Sequence, residues 1–202
     1  MHAMSPNSSA LGTAREPQPH LLRRLGLGLV LTALVLASGC GGSSDPTPIA
    51  GQSGDAIGTN GGDTQFAVQA VSAISSARAT ARSCGAKSFA PAVAVSWSGQ
   101  LAQAALTHAS WMQANEQFSH TGENGSDVGI RATAAGYAWR TIGENIAGGH
   151  TDMASVVQAW IDSPGHCANL MSPDFREIGL ARVDGQPGNT FSTYWTLVLG
   201  AR

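Results

Sequence analysis

The sequence predicts an α+β fold, in one domain whose helices come first and whose strands come last. Apolar residues recur at helical spacing in three stretches between residues 64 and 162. Two later segments, residues 177–183 and 193–201, are rich in β-branched and aromatic residues with partial alternation. The chain has 202 residues and is 43% hydrophobic, which suits one core with tails. Helices followed by strands are typical of an α+β layered fold.

The amino-terminal segment has the features of an export signal. Positive residues, among them Arg23 and Arg24, precede an uncharged apolar run over residues 25–37. That run is too short for a transmembrane helix, which needs ~20 apolar residues. It ends at Ala37-Ser38-Gly39-Cys40, which resembles the lipobox of bacterial lipoproteins. We therefore predict a lipoprotein signal peptide over residues 1–39 and a lipid anchor on Cys40. The alternative is an ordinary secretory peptide followed by a chance cysteine.

Residues 40–63 predict a flexible linker, because they are rich in Gly, Ser, Thr, Asp and Pro and poor in large apolar residues. The folded domain then covers residues 64–202. We expect it at the cell envelope, anchored to a membrane (the outer one in a Gram-negative organism), or secreted. The formal net charge of −2 gives no basic field, which excludes nucleic acid as a partner.

The first two helices follow from apolar spacing and from their end signals. The first is expected from residue 64 to about residue 81, with Cys84 and Gly85 ending it. The second begins near Trp97, with Ser96 as its cap, and runs to Asn115. Its apolar face carries Leu101, Ala105, His108 and Met112. On such a face, His108 is more typical of a hydrogen-bonded core histidine than of a ligand.

The rest of the domain alternates loops with shorter elements. Residues 118–136 predict a loop-rich stretch with a short helical turn over residues 130–135. A third helix begins after Thr151 or Asp152 and is stopped by Ser163-Pro164-Gly165. The strands at 177–183 and 193–201 enclose turn residues and predict an antiparallel pair.

Three cysteines remain to be explained. With Cys40 as the lipid acceptor, Cys84 and Cys167 form a pair in an oxidising compartment, and we predict a disulfide between them. Closing the loop of about 80 residues between these cysteines stabilises the fold by roughly 4 kcal/mol in the chain-entropy model. Two free thiols, or two thiolate ligands, are the alternatives.

Several short motifs follow one another along the chain. They are, in order, Phe118-Ser119-His120-Thr121, Gly143-Glu144-Asn145-Ile146-Ala147, Trp160 leading into Ser163-Pro164-Gly165-His166 with Asn169, Ile178-Gly179-Leu180-Ala181 and Tyr194-Trp195-Thr196. In this order they resemble the bacterial branch of the CAP superfamily, the SCP-like fold of cysteine-rich secretory proteins. The resemblance covers about residues 66–202.

The resemblance implies a three-layer α-β-α sandwich with a central antiparallel sheet. It also implies a cleft in which His120, Glu144 and His166 converge. The second cleft glutamate of the animal proteins has no match in this sequence, and Asp162 is the nearest substitute. Arg78 matches an arginine of the first helix that bonds backbone carbonyls or an acidic partner inside the fold.

Two imidazoles with carboxylates are a plausible Zn²⁺ site, so we expect His120, Glu144, His166 and Asp162 as candidate metal ligands. His120, Glu144 and His166 are equally candidates for general acid–base catalysis. The structural alternative is that Glu144 and Asn145 satisfy backbone donors in a tight loop, and that His166 caps the next helical turn.

Three functions are compatible with these residues. The resemblance favours a non-catalytic binding module of the cell envelope, with a lipid, a sterol or a protein as its ligand. The histidine and glutamate trio favours a metal-assisted hydrolase acting on envelope or extracellular substrates. A disulfide-stapled domain whose histidines serve folding alone is the third. The sequence predicts no oligomeric state.

Overall fold

The computed structural model describes residues 64–202. The predicted signal peptide, the anchor at Cys40 and the linker therefore lie outside the described residues. The helices are α1 (Thr64–Arg78), α2 (Gly99–Asn115), α3 (Val128–Ala134), α4 (Met153–Asp162) and α5 (Pro164–Met171). The strands are β1 (Arg82–Cys84), β2 (Lys87–Phe89), β3 (Ser96–Trp97), β4 (Thr141–Gly148), β5 (Glu177–Asp184) and β6 (Thr193–Ala201). Within residues 64–202, no helix is long and apolar enough to cross a membrane.

The central sheet has four strands in the order β3-β5-β6-β4. Strand β6 pairs antiparallel with β5 and with β4, which confirms the predicted pair of carboxyl-terminal strands. The two-residue strand β3 lies parallel to β5, so the sheet is not antiparallel throughout. The chain leaves β3 through α2 and returns to β5 much later. This long connection through helices is what parallel neighbours require, whereas a tight hairpin can join only antiparallel strands.

The two faces of the sheet are covered by different helices, which makes three layers. All of β6 is buried, and its side chains alternate between the two faces. Trp195 and Leu197 pack into one cluster with residues of α1, α4 and α5. Val198 packs into a second cluster with Leu101 and Ala105 of α2. The α-β-α sandwich expected from the resemblance is therefore the fold.

Two local expectations were wrong. Helix α1 ends at Arg78, and a β1–β2 hairpin follows where Cys84 and Gly85 were expected to end the helix. Ser98, not Ser96, caps α2, because its side chain accepts a 3.3 Å hydrogen bond from the N–H of Leu101. Ser96 instead belongs to β3.

Strand β4 was also missed, because glycine and asparagine are depleted in strands. It pairs with β6 along its whole length, from Thr141 opposite Ala201 to Gly148 opposite Tyr194. Its glycines permit close packing. A Cβ at Gly143 would lie 2.8 Å from the ring of Phe175. Tertiary pairing therefore outweighs the low strand propensity of this segment.

The predicted disulfide between Cys84 and Cys167 is present, with the two Cα atoms 5.4 Å apart. It joins the β1–β2 hairpin to α5, and both cysteines are buried beside Met171. The alternatives of free thiols and of thiolate ligands are therefore excluded for this pair.

Candidate functional site

The candidate site is built around Glu144, which lies on β4 and is 7% exposed. Its Oε1 accepts a 2.9 Å hydrogen bond from Nδ1 of His120. Its Oε2 accepts a 2.6 Å hydrogen bond from Nη2 of Arg131, which is itself buried. Glu144 thus lies on a regular strand and bonds two side chains, and the expectation of a tight loop around it was wrong. A charged hydrogen bond on each oxygen holds the carboxylate in one orientation.

His120 lies in the loop after α2, and its side chain is 58% exposed. Because the carboxylate of Glu144 accepts from Nδ1, that nitrogen carries a proton, and in the neutral imidazole Nε2 holds the lone pair. Arg131 supports the same loop, since its Nη2 donates to the carbonyl of His120 and its Nη1 to the carbonyl of Ser126. The imidazole is therefore fixed on its inner side and available on its outer side.

Arg131 is the residue of this site that sequence reasoning missed. It lies in the short helix α3, whose cap is Asp127, and no motif marks it. The only available signal is an arginine in an otherwise small and apolar turn, Val128-Gly129-Ile130-Arg131-Ala132. Such a residue needs a buried acceptor, but the sequence does not say which one.

His108 lies fully buried beneath this pair, as its apolar helix face predicted. Its Nε2 donates a 2.8 Å hydrogen bond to the carbonyl of Ser119 and lies 3.8 Å from Oε1 of Glu144. Burial lowers the pKa of His108, and the positive charge of Arg131 opposes protonation as well. A neutral His108 therefore supports the loop that carries His120.

His166 lies in the first turn of α5, which Ser163 caps. It is therefore not a capping residue. Its carbonyl accepts a 3.0 Å hydrogen bond from Nδ2 of Asn145, the strand residue next to Glu144. Asn169 Nδ2 donates to Oδ1 of Asn145 at 3.0 Å and to the carbonyl of Glu144 at 3.1 Å. These two amides hold the α5 backbone at His166 against the β4 backbone at Glu144.

The two cleft histidines interact electrostatically. Burial lowers the pKa of His166, and the proximity of His120 lowers it further, because two protonated imidazoles would repel each other. A neutral imidazole at His166 offers a nitrogen lone pair near neutral pH. His120 and His166 come from different elements of the fold and lie within range of electrostatic interaction.

Asp162 is not brought into this arrangement. It is exposed at the last residue of α4, where its Oδ1 accepts a 2.8 Å hydrogen bond from Nε2 of Gln158. Among the contacts of residues 64–202, none joins it to His120, Glu144 or His166. Asp162 therefore does not take the place of the missing second glutamate beside His120, Glu144 and His166.

The side chains available as ligands can be compared with the metal site that the resemblance implies. Across residues 64–202, no group of three or more His, Cys, Asp or Glu is arranged to hold a metal ion. Both oxygens of Glu144 are engaged by His120 and Arg131. A closed site with carboxylate ligands therefore does not fit. What the geometry shows is one imidazole, His120, with a carboxylate on its Nδ1, the arrangement that orients a histidine ligand in an open metal site.

Comparison with known proteins gives one family and several relatives. The model of the cysteine-rich secretory protein (CAP) family matches residues 71–199. The uncharacterised protein YkwD of Bacillus subtilis is 43% identical over 49 residues, which are 24% of this chain and 19% of that protein. The uncharacterised membrane protein YlbC of the same organism is 29% identical over 84 residues, which are 42% of this chain and 24% of that protein. The matched segments thus span about a fifth to a quarter of these relatives.

Two solved structures are similar to this chain, and the first of them shares its fold. An outer surface protein from Borrelia burgdorferi superposes with a TM-score of 0.55 at 22% identity, over 69% of this chain and 96% of that chain. An extracellular protein with an SCP domain from Bacillus anthracis has a TM-score of 0.48 at 27% identity, over 55% of this chain and 35% of that chain.

Proposed function

The chain belongs to the cysteine-rich secretory protein (CAP) family, and from this premise we propose that it is an exported, lipid-anchored binding module of the bacterial cell envelope. Its ligand site is the cleft of His120, Glu144 and His166. One observation carries the proposal: a buried carboxylate, neutralised by Arg131, orients an exposed imidazole whose outer nitrogen is available. Such an arrangement is prepared before any ligand arrives, which lowers the cost of binding.

Export and anchoring are supported by the sequence. An apolar run without charge ends at Cys40 among small residues, and a Gly- and Ser-rich segment follows it. The disulfide between Cys84 and Cys167 is typical of a protein folded in an oxidising compartment. Intact mass measurement of the protein purified from membranes checks this part of the proposal. A diacylglycerol adduct on Cys40 is expected, and an unmodified Cys40 would contradict it.

We propose that the cleft binds a divalent metal such as zinc weakly and exchangeably, with His120 and His166 as the protein ligands. Glu144 accepts a hydrogen bond from Nδ1–H of His120 and so leaves Nε2 to coordinate. Two imidazoles leave positions open for a ligand group, and zinc there would supply a Lewis acid to an oxygen of that ligand. Sterols, lipids and protein segments are the ligand classes that the family resemblance suggests.

Zinc titration calorimetry on the purified full chain tests this site. We expect heat from one zinc per chain in the parent protein, and none in the His120→Ala/His166→Ala double variant. Asp162→Ala is the matched control, and we expect it to bind zinc like the parent. Loss of binding in the control would restore Asp162 as a ligand. A folded parent that gives no heat would remove zinc and leave the cleft to an organic ligand.

A metal-assisted hydrolase is the second candidate, and the His120–Glu144 pair favours it. An imidazole oriented by a buried carboxylate can take a proton from water at its other nitrogen. This function predicts that His120→Ala abolishes hydrolysis of envelope polymers without unfolding the domain. Hydrolysis that persists in His120→Ala and in His166→Ala would rule this candidate out.

A further inference from the structure

We propose that one face of the domain rests on the surface of the bilayer that anchors the chain; this inference rests on the proposed anchor at Cys40. The face, called here the α1–Trp97 face, surrounds a groove of about 480 Å³. It consists of Thr64, Ala67, Val68, Val71, Ser72 and Trp97. Val68 is 64% exposed, the most exposed of the large hydrophobic residues of the domain. An apolar groove open to water is a candidate for burial against another surface.

The α1–Trp97 face carries no charge. Helix α1 has no charged residue before Arg78, and Arg78 is fully buried, where it donates to backbone carbonyls such as that of Val93. The exposed positions of the helix are Thr64, Gln65, Val68, Gln69, Ser72 and Ser76. Moving this face into a headgroup region therefore desolvates no ion. Desolvation of an ion would be the largest cost of such a move. Tryptophan is also enriched at membrane interfaces.

The anchor brings the bilayer to this face. Only residues 41–63 separate Cys40 from Thr64, which lies in the groove itself. A chain of that length reaches at most roughly 80 Å when it is fully extended. The tether therefore keeps the start of α1 near the bilayer at high effective concentration, so a weak contact is sufficient.

A competing exposed apolar region is less suited to a bilayer. Ile130 and Trp139 are 57% and 42% exposed and line another groove, but Asp127 lines it with them. Contact with a bilayer there would bring a carboxylate towards the lipid. The bilayer is therefore expected on the α1–Trp97 face, and this second region supplies a control.

The docking face also sets the direction of the ligand cleft. Strand β3, which carries Trp97, is one edge of the four-stranded sheet, and β4, which carries Glu144, is the opposite edge. A domain that rests on the α1–Trp97 face thus holds His120 and Glu144 at the edge of the sheet away from the contact. The cleft would then be accessible to ligands from the aqueous side.

Tryptophan quenching tests the proposal. The full chain is reconstituted in zwitterionic phosphatidylcholine vesicles that contain phosphatidylcholine with a nitroxide just below the headgroup. We expect the nitroxide to quench part of the fluorescence of the five tryptophans. Trp97→Phe should remove that quenched part, and Val68→Asp should reduce it. Trp139→Phe, the matched control at the exposed tryptophan of the second region, should keep it. Circular dichroism verifies that each variant is folded.

Each other result is informative. Quenching that is lost in Trp139→Phe and kept in Trp97→Phe would place the bilayer on the α3 side and overturn the proposal. No quenching in the vesicle-bound parent would show a domain that stays in solution on its tether, which also overturns it. Intact mass of the same sample reports lipidation of Cys40 separately. A chain without lipid that shows the Trp97 pattern, held by its apolar leader, would refute the anchor and keep the docking face.

Discussion

At Glu144, three basic side chains approach one buried carboxylate: Arg131 at 2.6 Å, His120 at 2.9 Å and His108 at 3.8 Å. Only Arg131 is charged at every physiological pH. The charges of Arg131 and Glu144 neutralise each other, and the side chains of His120 and His108 are arranged around the carboxylate. The candidate site thus depends on this buried ion pair, because removal of either partner leaves the other as an uncompensated buried charge.

Glu144→Gln tests this dependence. The substitution keeps the side-chain shape but leaves the buried guanidinium of Arg131 without a counter-charge. Breaking a buried pair in this way costs about 3–5 kcal/mol. We expect a loss of that order in the free energy of unfolding, measured with urea. Asp162→Asn, at an exposed carboxylate, is the control and should change stability little. Equal stabilities of the parent and Glu144→Gln would show that the pair contributes nothing.

The buried histidines predict an acid-sensitive fold. Burial lowers the pKa of His108 and of His166 below the ordinary value of about 6.5. Below about pH 6.5 the unfolded chain therefore binds protons that the folded chain does not. The free energy of unfolding consequently decreases as the pH is lowered. Their stabilising effect is complete above that pH and is lost as the pH falls through the folded-state values.

Urea unfolding measured at several pH values checks this second prediction. We expect the midpoint to fall between about pH 7 and about pH 5, which brackets the ordinary histidine pKa. His108→Gln cannot titrate, and its amide can still donate towards the carbonyl of Ser119. The variant should show a shallower acid slope. The same slope in both proteins would mean that His108 does not cause the acid sensitivity.

At the scale of elements, the contact between α2 and the sheet depends on one glycine. A Cβ at Gly179 of β5 would lie 1.9 Å from the backbone nitrogen of Ala102 in α2. Backbone cannot move aside as a side chain does, so Gly179→Ala must push the helix away from the strand. Overpacking typically costs 1–3 kcal/mol, and we expect at least the upper part of this range, about 3 kcal/mol.

Thermal unfolding of Gly179→Ala measures that cost. Gly99→Ala is the matched control, because it lies in α2 and a Cβ there meets nothing within 4 Å. In a helix, the change from glycine to alanine stabilises by about 0.5–1 kcal/mol where the backbone allows it. The control should therefore melt at the parent temperature or slightly above it. A Gly179→Ala protein that melts with the control would contradict the tight packing.

Periodicity predicted the long amphipathic elements well, since the apolar faces of α2 and α4 and the pair β5–β6 each form part of the core. It failed for β4, whose stability comes from pairing with a strand about fifty residues later. Non-local pairing leaves no local signal, particularly in a strand that includes Gly143 and Asn145.

The site shows the same division. His120, Glu144 and His166 were found only through a resemblance, because they are distant in the sequence. Arg131 was not found at all, because only the fold places it against Glu144. Asn145 and Asn169 were recognised as motif residues, but their hydrogen bonds between β4 and α5 follow from the packing of those elements.

At the scale of the whole molecule, the residues of the candidate site come from all three layers. His120 follows α2 on one face of the sheet, Glu144 belongs to the sheet, and His166 belongs to α5 on the other face. Residues from three layers keep their relative positions only while the whole domain is folded. The cleft and the global fold are therefore expected to be lost together on unfolding.

The disulfide should affect global stability and leave the cleft intact. It closes 83 residues between Cys84 and Cys167, for which restricting the unfolded chain is worth about 4 kcal/mol. In the folded state, the amides of Asn145 and Asn169 hold α5 to β4 without it. We therefore expect the Cys84→Ala/Cys167→Ala variant to lose about 4 kcal/mol of unfolding free energy. If this variant remains folded, it should give the same heat of zinc binding as we expect for the parent protein.

Urea unfolding and zinc calorimetry on the same preparation separate these two effects. Cys40→Ser is the control, because it removes a cysteine that takes no part in the bond, and its domain stability should match that of the parent. A disulfide-free variant as stable as the parent would show that the hairpin connection does not restrict the unfolded chain. A folded variant that gives no zinc heat would show instead that the disulfide positions α5, and with it His166, in the native state.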